Sequence, residues 1–174
     1  MSEPAIAGDQ VRVSVQVALE PAAAFRLFTE EIDRWWRRGL KYRIAGARHG
    51  GARRGFIRLE AGVGGRLFES FETPEGTHVV ETGRVTLWEP PTRLAFAWRA
   101  VNFAPTETTE VEVRFEPRAG GTFLTYRGWS RIRPDHPARH GLATAAFIRM
   151  LGLWWSDLLT ALREAAAPIG APVS

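Results

Sequence analysis

Apolar and polar residues alternate strictly at the start of the chain: Val11, Val13, Val15, Val17 and Leu19 are separated by Arg12, Ser14, Gln16 and Ala18. A strand shows the same face every second residue, so this segment predicts a β-strand with one buried side. Glu20-Pro21 interrupts the pattern, and proline suits the first helical position, which predicts a short helix over 22–28. Thr29 is placed to cap a second short helix over 30–36, with Ile32, Trp35 and Trp36 on its apolar side. Residues 37–54 are rich in Arg and Gly, lack periodicity, and predict an exposed connection.

Turn signals at 62–65, 73–76, 89–92 and 118–121, with a further break near 102–105, divide the next stretch into segments 55–61, 66–72, 77–88, 93–101, 106–117 and 122–130. Short connections between successive strands predict an antiparallel meander. Leu94, Phe96 and Trp98 oppose Ala95, Ala97 and Arg99, while Val111, Val113 and Phe115 oppose Glu110, Glu112, Arg114 and Glu116. One side of this sheet is therefore polar, and the other needs a cover. After 134–137 the period lengthens: Ala143, Phe147, Leu151, Trp154, Leu158 and Leu162 recur every three or four residues, as on one side of a helix. That helix is expected to run to about residue 166, roughly 24 residues or about 36 Å, long enough to cross the sheet.

The predicted fold class is α+β: a seven-stranded curved antiparallel sheet wrapped around a long C-terminal helix, with two short helices after the first strand. This is a helix-grip architecture, in which the twist of the sheet leaves room between sheet and helix. One domain over 11–166 is expected, with tails at 1–10 and 167–174.

Composition sharpens the picture at the aromatic positions. The chain has seven tryptophans in 174 residues, spread over five of the ten predicted elements. Each buries roughly 200 Å² when enclosed and carries an N–H that wants a partner, so converging indoles favour an aromatic-lined space. The residues expected to line it are Trp35, Trp36, Phe56, Phe68, Glu81, Trp88, Phe96, Trp98, Phe115, Tyr126, Trp129, Phe147, Leu151, Trp154 and Trp155.

Cysteine is absent, which excludes a disulfide framework and thiol catalysis and agrees with a reducing, cytoplasmic setting. The first residues show no basic region followed by an apolar run, and no stretch is expected to span a bilayer. The net charge of +4 is carried by arginine, with Lys41 the only lysine. From Arg34 to Arg58 the basic residues Arg37, Arg38, Lys41, Arg43, Arg48, Arg53 and Arg54 occur with no acid among them. Such a patch suits an acidic protein partner; nucleic acid is not the expected one.

Candidate chemistry is sparse. Glu81 shares parity with Val79, Val85 and Leu87, and a carboxylate facing inward there would serve as general base or polar handle. The alternative is that a bulge turns it outward or Arg84 pairs with it. Glu69 fits either face. Tyr126 shares parity with Leu124 and can donate a hydrogen bond to a ligand carbonyl. His136 and His140 have an i, i+4 spacing, but Pro137 lies between them and no third ligand is near, so no metal site is expected. His49 and His78 are isolated. Gly62-Val63-Gly64-Gly65 precedes a strand rather than a helix and reads as a turn, not a phosphate loop. No cofactor is implied.

Several motifs together carry a resemblance. They are Val63-Gly64-Gly65-Arg66, Gly83-Arg84-Val85, Trp88-Glu89-Pro90-Pro91-Thr92-Arg93-Leu94 with Phe96 and Trp98, 109–115, Arg127-Gly128-Trp129, and Trp155-x-x-Leu158-Leu159. The chain resembles the bacterial branch of the heat-shock-protein-90 ATPase activator homologues, in the START-like (SRPBCC) superfamily, over roughly 11–166. The resemblance implies a helix-grip fold with a hydrophobic-ligand cavity, while the chaperone role in the family's name belongs to eukaryotic members. Tyr126 stands where members of this branch often have His, and Arg37 where a Pro often follows the paired tryptophans.

The leading expectation is thus binding of a small apolar or aromatic molecule by a monomer or homodimer. One alternative is an enzyme of cyclase or hydrolase type using Glu81, Glu69 or Tyr126. Another is a regulatory or chaperone-partner module using the Arg34 to Arg58 patch.

Overall fold

The computed structural model describes residues 10–39, 41–43, 55–98, 109–130 and 144–167, the side chains of 127–130 and 144 excepted. Its elements are β1 (Gln10–Val17), α1 (Pro21–Thr29), α2 (Ile32–Trp35), β2 (Gly55–Leu59), β3 (Arg66–Thr73), β4 (Gly76–Glu89), β5 (Arg93–Trp98), β6 (Thr109–Arg118), β7 (Gly121–Ser130) and α3 (Thr144–Ala166). The break expected near 102–105, the outer ends of the strands drawn at 93–101 and 106–117, and His49, His136 and His140 lie outside the described residues.

The strands form one seven-stranded antiparallel sheet in the order β1-β7-β6-β5-β4-β3-β2. β2 through β7 meander, and β1 returns to pair with β7, so the first and last strands in sequence are neighbours. The sheet curls into a half-barrel around α3, the helix-grip arrangement expected from the pattern. Cross-strand rows on the inner face can be followed through the register. Val13, Tyr126 and Val113 lie opposite one another, as do Val15, Leu124 and Phe115, and Leu67, Gly83, Trp98 and Thr109. The alternation of valines in β1 is what places this strand's apolar side in the row.

α1 fits the apolar spacing of its sequence, burying Ala24, Phe25, Leu27 and Phe28 against β6. Thr29 does not cap α2. Its hydroxyl donates to the Phe25 carbonyl at 2.7 Å, closing α1 from within, and α2 begins at Ile32 after Glu31 without a side-chain cap. The buried stripe of α3 runs through Phe147, Trp155, Leu158, Leu159 and Leu162. At Gly152 a Cβ would stand 3.1 Å from Val11 Cγ2, so glycine is what lets the helix lie this close to β1.

α3 departs from one expectation. Over Ala145–Ala166 it is long and apolar enough to cross a membrane by length and composition, with mean hydropathy 1.2. Its most buried side chains pack into the core instead, while Leu153 remains 65% exposed.

Two bulges in β4 decide which of its residues face inward. The register slips between Leu67 and Phe68 of β3, where Thr82 is the extra residue on β4, and again between Val85 and Leu87. An inserted residue inverts the alternation on either side of it. Val85 and Trp88 therefore face inward, opposite Phe96 and Leu94, whereas Glu81 and Val79 lie opposite Phe68 and Ser70 on the outer face. The parity expected for Val79, Glu81, Val85 and Leu87 as one set does not hold.

Candidate functional site

The inner face gathers aromatic rings in two joined groups. Under α1, Phe25 meets Trp88 at 5.1 Å and Phe115 at 5.2 Å, and Phe28 meets Trp35 at 5.0 Å. Trp35 and Trp36, 5.5 Å apart, link this group to the second. There Trp36 meets Trp154 at 5.9 Å and Trp155 at 5.7 Å, and Trp98 is 5.6 Å from each of those two indoles. Tyr126 of β7 stacks on Trp155 with ring centroids 4.1 Å apart and planes 23° apart. Chain separation is large in this second group: Trp36 follows α2, Trp98 ends β5, Tyr126 sits in β7, and Trp154 and Trp155 lie in α3. Only the curled sheet brings them together.

Three of the six described indoles find acceptors. Trp35 Nε1 donates to the Leu27 and Phe28 carbonyls at 3.1 and 3.3 Å, Trp36 Nε1 to the Tyr42 carbonyl at 3.0 Å, and Trp154 Nε1 to the Lys41 carbonyl at 3.0 Å. Trp155 is fully buried, and its Nε1–H has no hydrogen-bond partner among the described residues. Beside it, Tyr126 is 2% exposed, and burial alone pushes its phenol well above the usual value. Burial without a bonding partner leaves the hydroxyl protonated and neutral. Trp98 and Trp154 remain only partly buried, as do Val13 and Leu151, although all four pack against the core.

The rim of this second group is held by polar contacts with the stretch after α2. Tyr42 Oη donates to Asp157 Oδ2 at 2.9 Å, Lys41 Nζ stands 3.5 Å from the same oxygen, and Arg37 Nε donates to the Asp157 carbonyl at 2.9 Å. The hydrogen bond from Tyr42 and the charges of Lys41 and Arg37 hold the Asp157 carboxyl below its usual range. The Tyr42 ring lies 5.5 Å from that of Trp154. Sequence reasoning missed Tyr42 as part of this wall; a lone aromatic inside an Arg- and Gly-rich stretch was the only signal.

The expected lining set divides on inspection of the register. Trp36, Trp98, Tyr126, Trp154 and Trp155 come together, with Phe147 and Leu151 on the same helix. Trp35, Trp88 and Phe115 belong to the group under α1, and Phe96 is buried in the inner face between Val85 and Val111. Phe56 and Phe68 are corrections: they meet each other at 6.3 Å on the outer face, where Phe56 is 40% exposed and Arg66 covers Phe68. Glu81 is another, turned out by the bulge and bound by Arg84 Nε and Nη2 at 2.6 and 2.8 Å. Glu69 is buried on the inner face opposite Ile57 and Val80. The backbone of Trp129 pairs with Gln10 and Glu110; its side chain lies outside those described.

Glu69 and Tyr126 do not form an acid–base pair. They sit on β3 and β7, four strand positions apart, at about 4.8 Å per step along the sheet. Among the described residues no group of three or more His, Cys, Asp or Glu is placed to hold a metal ion. A separate groove at the far end of the sheet is bordered by Pro21, Pro91, Pro117 and Arg118 and shares no residue with the ring groups.

The positive stretch is largely engaged within the chain. Arg34 pairs with Glu31, Arg38 with Asp33, and Lys41 with Asp157. Arg43, expected in an exposed connection, is 7% exposed and donates to Asp33 Oδ1 and to the carbonyls of Asp33, Trp36 and Arg37. Arg48, Arg53 and Arg54 lie outside the described residues.

Comparison with known proteins gives one family. Residues 18–164 match the family described as activator of Hsp90 ATPase homolog 1-like protein. No curated protein matches the sequence. Among solved structures, a Nitrosomonas europaea protein aligns with TM-score 0.60 at 16% identity, covering 94% of this chain and 97% of its own. A Rhodobacter sphaeroides protein aligns with TM-score 0.58 at 21% identity, covering 93% of each chain. The Aha1 dimer from Colwellia psychrerythraea aligns with TM-score 0.58 at 16% identity, covering 90% of this chain and 95% of that one. At these identities the likeness is one of fold.

Proposed function

The chain belongs to the activator of Hsp90 ATPase homolog 1-like family, and from that premise we propose that it binds a small hydrophobic or aromatic molecule between the curled sheet and α3. The observation that carries this reading is the partial burial of Trp98 and Trp154 beside the fully buried Trp155. Inner-face aromatics of a sealed core are covered completely, whereas a wall built to receive a ligand keeps part of its rings open. The polar rim at Tyr42, Lys41 and Asp157 supports it, because it ties the stretch after α2 to α3 next to the open rings.

Catalysis by paired side chains finds less support. Glu81 is engaged by Arg84 on the outer face, and Glu69 stands four strands from Tyr126. An acidic protein partner loses support as well, since Arg34, Arg37, Arg38, Lys41 and Arg43 already have acceptors within the chain.

The test is a titration of the intrinsic tryptophan emission with a panel of fatty acids, sterols and aromatic compounds. A saturable change is expected, weakened at least several-fold by Trp98→Ala and by Trp154→Ala. Silence across the panel, or affinities untouched by both substitutions, would refute the proposal.

A further inference from the structure

Three of the six described indoles donate to backbone carbonyls, and of the other three Trp155 is the most deeply buried: it is 0% exposed and its N–H has no partner among the described residues. An indole nitrogen has one donor and no acceptor, so only an acceptor atom can satisfy it. Leaving such a group unmade is costly, and a native fold keeps one where something outside the chain's own groups completes it.

The neighbour of Trp155 brings a second donor: no described residue makes a hydrogen bond to the Tyr126 hydroxyl. The Tyr126 ring stacks on the Trp155 ring with centroids 4.1 Å apart, and only burial acts on its hydroxyl. Two rings in a stack carry their polar edges within the span of one small molecule. The described side chains paired directly with Tyr126 are Val13 and Val113, and those beside them in the rows on either side are Val15, Leu124, Phe115, Val11 and Val111. All are apolar. The charged groups at the rim, Lys41 and Asp157, are engaged with each other.

We infer that the molecule bound here is neutral, flat and apolar in body, and carries a hydrogen-bond acceptor of the carbonyl kind that Trp155 Nε1–H and Tyr126 Oη–H read together. The inference rests on the binding proposed above and names the class of its ligand. Two donors with no cation beside them among the described residues discriminate by charge: a carboxylate would lose its hydration with no described positive group to meet it, while a pure hydrocarbon would leave both donors unpaired. Stacking against the exposed parts of Trp98 and Trp154 supplies the affinity, and the acceptor supplies the selection.

The experiment uses twin probes that differ only in the acceptor: acetophenone with α-methylstyrene, and methyl 2-naphthyl ketone with 2-isopropenylnaphthalene. In each pair a C=CH₂ group replaces C=O at nearly constant shape. Binding to the full chain is followed by calorimetry and by the indole N–H signals in a proton–nitrogen correlation spectrum, with that of Trp155 identified by its loss in Trp155→Phe. The ketone of at least one pair is expected to bind about tenfold more tightly than its twin, as two net hydrogen bonds predict. The Trp155 signal should move downfield with the ketone alone, and Tyr126→Phe should cut the preference to a few-fold. Equal affinities of ketone and hydrocarbon would overturn the inference and leave small-molecule binding standing. A preference retained in Tyr126→Phe with an unmoved Trp155 signal would also overturn it. Failure of both twins of both pairs to bind would overturn the inference and the binding proposal together.

Discussion

Arg43 and Asp33 meet at 2.7 Å, and the same Asp33 oxygen accepts the Ile57 N–H at 3.0 Å. One carboxylate thus ties the stretch after α2 to β2, the edge strand of the sheet. Edge strands carry unpaired amides that invite further pairing, and Asp33 blunts this one.

Arg43 also donates to the Trp36 carbonyl at 2.7 Å and the Arg37 carbonyl at 3.2 Å, so its removal strands several acceptors at once. Arg43→Met is expected to destabilise the fold by about 1–3 kcal/mol, the cost of leaving buried acceptors without their donor, while the half-exposed Asp33 keeps the Ile57 N–H. Arg43→Lys should recover less than half of that, because an ammonium cannot fork across acceptors set this way. Urea denaturation of both variants is the measurement, and a full rescue by lysine would contradict the network.

Acid should unfold the protein through carboxyls held low in the native state. The side-chain and backbone hydrogen bonds from Arg66 bring Glu60 from the usual 4.5 down to about 2. For Asp33, burial opposes ionisation, but the Ile57 N–H, the Arg43 bond and charge, and Arg38 outweigh it and keep the carboxyl below its ordinary range. A depressed native value means stability that is complete above the unfolded value and lost as pH falls through the folded one. The urea midpoint is therefore expected to hold from pH 7 to about 5 and decline from about 4.5 toward 2, with Glu60 titrating near the bottom of that window. Carboxyl carbon NMR reads this directly; a Glu60 midpoint near 4.5 would refute it.

Glu81→Gln and Tyr126→Phe should separate the two faces of the sheet. The Glu81 to Arg84 pair is solvent-exposed, so its loss should change stability by less than about 1 kcal/mol and leave ligand titrations unaltered. Removing the Tyr126 hydroxyl, which has no bonding partner among the described residues, should not lower stability at all. A loss above about 1 kcal/mol in the tyrosine variant would reveal a partner within the protein.

Gly83 sits between Leu67 and Trp98 on the inner face, and a Cβ there would lie 2.6 Å from the Ala97 carbonyl oxygen and 3.3 Å from Leu67 Cβ. Neither neighbour is a free side-chain end. Gly83→Ala is expected to cost about 1–3 kcal/mol by forcing the backbone apart. It should also shift the Trp98 emission. A stable variant with unchanged emission would contradict this packing.

Much of the fold was legible because its signals are local. The strict alternation of β1, β5 and β6, the turn residues at 62–65 and 118–121, and the three- and four-residue spacing of α3 each depend only on neighbours in the chain. Trp36, Trp98, Tyr126, Trp154 and Trp155 were nameable as lining candidates from composition, as large rings spread along the chain, with parity supporting only the strand positions Trp98 and Tyr126. Glu81, Phe56 and Phe68 were misplaced, and Arg43 was drawn as exposed, because their surroundings come from distant segments.

Composition and periodicity by themselves determined which elements form, their order, and which side of most of them is apolar, because burial of one face is written into residue spacing. Tertiary structure alone decided the facing of Glu81, since one extra residue at Thr82 inverts everything beyond it in a strand of period two. It likewise decided that Trp155, unlike Trp35, Trp36 and Trp154, ends with no partner for its N–H among the described residues. Whether a donor finds an acceptor depends on which carbonyls the closed fold brings within about 3 Å, and no local pattern encodes that distance.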